Sequence, residues 1–122
     1  MSILKHFLIY RSFNQVCWYT NNATIEYSNY DIKMQEEKEE IFKKAVGAVI
    51  QELRTSVKGL SINKFAAEYD FDKGNISKTE KGFYNIYLMT AWKLSEALGI
   101  SFVEFASRLQ KELGPDFKFI DE

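Results

Sequence analysis

From Phe42 onward, apolar residues recur mostly at three- and four-residue steps: Phe42, Val46, Val49, Ile50, Leu53 and Val57. That spacing is the stripe of an amphipathic helix. The helix is expected to open in the acidic run QEEKEE (35–40), where carboxylates suit the positive end of the helix dipole. Gly59 is placed to end it, because glycine takes the left-handed cap conformation without steric cost. A second helix starts at Ser61, a good N-cap, and carries Phe65, Ala66 and Tyr69 on one face. After a short turn at Asp70-Phe71, Asp72 caps a third helix with Ile76 and Thr79 inward, and Gly82 closes it. A loop, FYNIY (83–87), leads to a fourth helix with Leu88, Ala91, Trp92, Leu94, Ser95 and Leu98, ended by Gly99. Trp92 and the phenylalanines at helical spacing are read as core. Ser101 and Glu104 have the spacing of a capping box. They open a fifth helix with Phe102, Phe105, Ala106 and Leu109, which Gly114-Pro115 stops.

Upstream of Met34 this pattern dissolves. The segment is rich in Asn, Tyr, Phe and Ile and has no sustained helical period. In NNATIEYSNYDIK (21–33), Ile25 and Tyr27 alternate with polar residues after an Asn-Asn turn signal, so a short strand or hairpin and a disordered chain are both open. The abrupt change makes Met34 a candidate native start, with 1–33 as upstream sequence read in frame; a genuine flexible arm accounts for it as well. The expected organisation is an irregular N-terminal extension over 1–33, a compact five-helix, all-α domain over 34–113, and a C-terminal tail over 114–122 in which Phe117 and Phe119 sit among charges.

Composition narrows the function mainly by exclusion. The 122 residues are 46% hydrophobic and 27% charged, as in ordinary soluble domains. The formal charge is −1 and the pI about 5.9, so any basic surface must be local. One cysteine, Cys17, and one histidine, His6, allow neither a disulfide nor a paired-cysteine zinc pattern. A Cys17–His6 nucleophile pair lacks an orienting third group and oxyanion donors. Glycine-rich phosphate loops and metal-ligand spacings are missing too. No apolar run has transmembrane length, and MSILKHFLIY does not read as a secretory signal. The expectation is a cytoplasmic non-enzyme with no cofactor, no metal and no membrane association.

The informative stretch is 61–82, two short helices joined by a turn. The second (72–82) has Ile76 and Thr79 on one side and Lys73, Gly74, Asn75, Ser77, Lys78 and Lys81 on the other. A helix-turn-helix needs that division, with one face locked into the domain and the other entering the major groove. Asn can pair in bidentate fashion with adenine, and Lys can donate to guanine or phosphate. Between Lys73 and Tyr84 the net charge is +2 within a slightly acidic chain. Glu80 is read as structural, pairing with a basic residue of the first helix such as Arg54.

From about Leu60 to Phe105 the chain resembles the Cro/cI-type family (lambda-repressor-like, xenobiotic-response-element helix-turn-helix proteins). Leu60-Ser61, Phe65-Ala66, Ile76-Ser77, Glu80-Lys81-Gly82, Ala97-Leu98-Gly99 and Ser101 fall in register without a gap. The sequence departs from the family pattern in four places. Ile62 stands where a Gln often contacts phosphate, Asp70 replaces a turn Gly, and Ile86 replaces a frequent Pro. Gly74 sits inside the recognition helix, at a cost of roughly 1 kcal/mol against Ala. The resemblance implies a lambda-repressor-like fold, double-stranded DNA as ligand, and a homodimer. It places base reading at Lys73, Gly74, Asn75 and Lys78 with Ser77 in support, and phosphate contacts at Lys81, Tyr84, Asn85 and Lys64.

The expected function is therefore sequence-specific transcriptional regulation, as a repressor. The fifth helix (Phe102, Phe105, Leu109, Leu113) and the Phe117–Phe119 tail are candidate dimer surfaces, unless they only pack on their own domain. An alternative of a different class is an antitoxin-like module that binds a toxin-like protein partner and also its own promoter. A third is a scaffold that has lost DNA binding, which Ile62 and Gly74 keep open.

Overall fold

The structure is a computed structural model that describes residues 22–121, with side chains from residue 31 onward. Expectations resting on His6 and Cys17 lie outside the described residues. The chain divides into two compact units, 1–37 and 38–122. Among the described residues the secondary structure is helical throughout, with no strand.

Helix α1 spans Asn22–Glu52 and continues as a π-helical stretch, Leu53–Lys58. It is followed by α2 (Ile62–Tyr69), α3 (Lys73–Glu80), α4 (Leu88–Ala97) and α5 (Phe102–Leu113). The all-α, five-helix architecture expected from the periodicity is present. The strand or hairpin weighed for residues 22–33 is not formed, because these residues belong to α1. Extending a nucleated helix adds a hydrogen bond per residue without a second nucleation cost, whereas an isolated hairpin is marginal.

The corners use one device four times. Gly59, Asp70, Gly82 and Gly99 each take a positive φ. The next amide reaches back six residues at the first corner, Leu60 N to Arg54 O, and five at the others: Phe71 N to Ala66 O, Phe83 N to Lys78 O and Ile100 N to Ser95 O. These bonds satisfy helix-end carbonyls that would otherwise lack partners. The N-terminal ends are equally local. Ser61 Oγ accepts from Lys64 N, Asp72 Oδ1 from Asn75 N and Ser101 Oγ from Glu104 N, at 3.2, 2.8 and 3.0 Å. The reciprocal half of the expected capping box is replaced, because the Glu104 carboxylate accepts from Arg108 Nε instead.

The core of the second unit joins Val46, Val49, Ile50 and Leu53 of the first helix to Phe65, Ile76, Ala91, Leu94, Ala97, Leu98 and Phe105. Four expected positions of the apolar stripes are not in it, among them Ala106, which is exposed on α5. Val57 is exposed, in the π-helical stretch at the end of the first helix. Leu88 and Trp92 are exposed on α4, whose inward face is instead Ala91, Leu94, Ser95 and Leu98. Phe117 and Phe119 pack beside Phe42, with ring centroids 6.3 and 5.4 Å from it, and Lys38 Nζ pairs with Asp121 at 2.9 Å. The tail thus lies on its own domain.

Candidate nucleic-acid interface

Helix α3 has eight residues, too few to persist alone in water. Its position is set by contacts along one side. Ile76 and Thr79 are buried, and Thr79 Oγ1 donates to Asn75 O at 2.7 Å. Phe65 of α2 stacks on Phe71 of the turn with centroids 5.9 Å apart, which fills the angle between α2 and α3. Asp70 takes φ 60° and ψ 46°, so it does serve in place of a turn glycine.

The far end of α3 is held by an ion pair. Arg54 Nε and Nη2 donate to the two Glu80 carboxylate oxygens at 2.7 and 2.9 Å, and Nη1 donates to Leu60 O at 2.7 Å. Both side chains are over nine-tenths buried. The hydrogen bond to Glu80 raises the guanidinium pKa above its already high ordinary value, against the opposing effect of burial. Arg54 therefore stays charged wherever the protein folds. It ties the end of the first helix, the corner after it and the end of α3 to one point. The pairing expected for Glu80 is the one observed.

Gly47, which the sequence reading passed over, completes the clamp. A side chain there would run into the Thr79 carbonyl oxygen and come within 2.5 Å of Glu80 O. The first helix thus lies directly on the backbone at the end of α3. A glycine inside a strong apolar stripe was the available signal, since it costs helix stability and needs a packing reason. Gly82 adds to this, with φ 82° and its Cα side facing Lys44.

The opposite side of α3 faces solvent. Lys73, Gly74, Asn75 and Lys78 are exposed and Ser77 is half-buried. Around the helix, at about 100° per residue, Gly74, Ser77, Lys78 and Lys81 lie closest to opposite the buried face. Lys73 and Asn75 flank them. Asn75 also lines an open groove between α3 and α4, together with Asp72, Tyr84, Asn85 and Tyr87. Lys81, Tyr84 and Asn85 of the following loop are exposed, as is Lys64 near the start of α2. Among the described residues none of Lys64, Lys73, Lys78 and Lys81 is in an ion pair. The Lys78 ammonium stands over the Tyr84 ring, 5.3 Å from its centroid.

The other departures from the family pattern also have structural accounts. Ile62 and Ile86 are partly buried and pack against the core. At Gly74 an added methyl would meet only Asp72 Oδ1, at 3.1 Å, so no neighbouring element requires a glycine there. No group of side chains among the described residues could hold a metal ion.

No family model matches the sequence, and no solved structure matches it. Control protein C.MunI from Mycoplasma sp is 36% identical over 66 residues, which is 54% of this chain and 89% of that protein. With two short helices joined by a left-handed turn, and a relative matched over nearly its whole length, the chain belongs to the family of this control protein.

Proposed function

We propose that the protein is a sequence-specific double-stranded DNA-binding transcriptional regulator, a repressor, that reads the major groove with α3. One observation carries this reading. The inner side of α3 is locked by burial, the Arg54–Glu80 pair and the Gly47 contact, while its outer side presents lysines and an amide with no intramolecular ion pair. Side chains held on a rigid support but left uncommitted can make base and phosphate contacts without first breaking others. Lys73, Gly74, Asn75 and Lys78 then read bases with Ser77 in support, and Lys64, Lys81, Tyr84 and Asn85 grip phosphate. The similarity to a protein named for control supports the regulatory part. The work is non-enzymatic and cytoplasmic, and no described helix is long and apolar enough to cross a membrane.

One recognition helix reads only a few base pairs, so the working unit is a homodimer on two half-sites. The surface expected for it on α5 and the tail is largely engaged, with Phe105 buried and Phe117 and Phe119 turned onto Phe42. Leu88, Met89 and Trp92 on α4 and Val103 on α5 are exposed instead, and Trp92 stacks on Phe102 to link the two helices. A second copy covering this face is the simplest source of two-fold symmetry.

Selection from a random duplex library with the full chain, at fixed salt, tests the reading. A recovered palindrome with half-sites about one helical turn apart is the expected result. Salt-sensitive binding with no sequence preference would overturn it, and a protein-partner role would then take its place.

A further inference from the structure

We propose that Tyr84 is a positioning residue for sequence reading: its ring holds the Lys78 ammonium and so sets where that lysine meets a base. The inference deepens the proposed function and rests on the reading of Lys78 as a base contact. It differs from the phosphate contact that the resemblance implies for Tyr84, which would act through the hydroxyl.

Three observations carry it. The first is the contact, with Lys78 Nζ 5.3 Å from the Tyr84 centroid, within the range of a cation–π attraction. The second is that the backbone builds the contact. Gly82 turns the chain at φ 82°, and Gly82 N and Phe83 N donate back to Thr79 O and Lys78 O at 3.0 and 2.9 Å. These two bonds fold the loop against the last turn of α3, and Tyr84 is the next residue. The third is that no acid competes. Glu80, two residues on, is turned inward to Arg54, and among the described residues Lys78 has no ion-pair partner.

A lysine on an exposed helix face otherwise samples many rotamers, and a flexible point charge discriminates poorly between a guanine edge and a nearby phosphate. A ring that restricts the ammonium removes part of that freedom before DNA arrives. The ring face does not use up the hydrogen-bond donors as a carboxylate would, so they stay available to a base. Tyr84 therefore affects which base is chosen more than how tightly DNA is held.

The experiment compares Tyr84→Phe, Tyr84→Leu, Lys78→Ala and the double variant Lys78→Ala/Tyr84→Leu. Each is measured on the selected site and on the site changed at the base pair whose preference Lys78→Ala relaxes, at one salt concentration. The free proteins are also examined by NMR for a ring-current shift of the Lys78 methylenes. Lys78→Ala is expected to lower discrimination about 5- to 140-fold, the worth of one good base contact. Tyr84→Leu should lower it at the same base pair by about two- to fivefold. The double variant should lose no more than Lys78→Ala alone. Tyr84→Phe should keep the discrimination and the ring-current shift, whatever uniform change in affinity it brings.

The proposal is overturned if Tyr84→Phe loses as much discrimination as Tyr84→Leu. A loss in Tyr84→Leu that is equal across all sequences, or that adds in full to Lys78→Ala, overturns it too. A missing ring-current shift removes the contact itself. Unchanged discrimination in Lys78→Ala, with the shift present, would instead bring down the base-reading role of Lys78 and the proposal with it. Tyr84 lies on an exposed loop, so all four variants should keep the helical circular dichroism of the parent.

Discussion

At the residue scale the position of α3 depends on a few side chains that never face solvent. Arg54 offers three donors, two to Glu80 and one to Leu60 O. Removing either partner leaves a buried charge without compensation, which costs about 3–5 kcal/mol. Arg54→Ala should therefore lower stability by about that amount, read as a fall in the urea midpoint at unchanged slope. Arg54→Met/Glu80→Leu should recover most of the loss, because an apolar pair of similar volume avoids the desolvation cost. If Arg54→Ala cost under about 1 kcal/mol, the value of an exposed ion pair, the clamp would not be formed. Gly47 poses an opposite choice of sign. In an open helix Gly→Ala gains about 1 kcal/mol. Here the new methyl would strike the Thr79 and Glu80 carbonyls, and overpacking against backbone costs about 1–3 kcal/mol. Gly47→Ala is thus expected to lower Tm and DNA affinity together, measured by calorimetry and titration. A higher Tm would show that the first helix stands off α3.

At the element scale, the ends of the helices were legible in the sequence and their faces less so. Ser61, Asp72 and Ser101 cap α2, α3 and α5, and Gly59, Asp70, Gly82 and Gly99 turn the chain after the first four helical segments. Every bond involved spans six residues or fewer, so the residues that make it are neighbours in the chain. The inward pair Ile76 and Thr79 on α3 followed from helical spacing. On α4 the residues read together as one apolar side fall in two lanes, Leu88–Trp92 and Ala91–Leu94–Leu98, and only the second is buried. Leu94 is fully covered, Leu88 is exposed, and Trp92 is half-exposed with its ring against Phe102 of α5. Periodicity shows that a helix has an apolar face; it does not supply the surface that covers it. Val57, in the π-helical stretch Leu53–Lys58 before the corner at Gly59, is exposed as well.

At the scale of the whole molecule, the exposed lane on α4 is where assembly is expected. Leu88 and Met89 are about 70% exposed, beside Trp92 and, on α5, Val103. Single exposed apolar residues are ordinary, whereas several on these two helices fit the proposed contact with a second copy. Leu88→Glu is expected to shift the protein from dimer to monomer in sedimentation velocity, leaving the helical fold intact. Binding to a two-half-site duplex should fall much more than binding to a single half-site, since the avidity of two linked readers is lost. A Leu88→Glu protein that remained a dimer would place the interface elsewhere.

The sequence by itself determined the helical class of the domain, the order of its last four helices, the corner and cap residues, and the inward face of α3. All of these rest on contacts within a turn or two along the chain, where residue type and spacing carry the physics. Pairing across the fold was legible once, for Arg54 and Glu80. A buried carboxylate demands a cation, and the first helix offered a suitable one. Tertiary structure alone decided the rest. It set Gly47 against the end of α3, exposed one lane of α4 and laid the tail on Phe42. Each depends on which surface arrives opposite another, and that is fixed by packing in three dimensions and not by spacing along the chain.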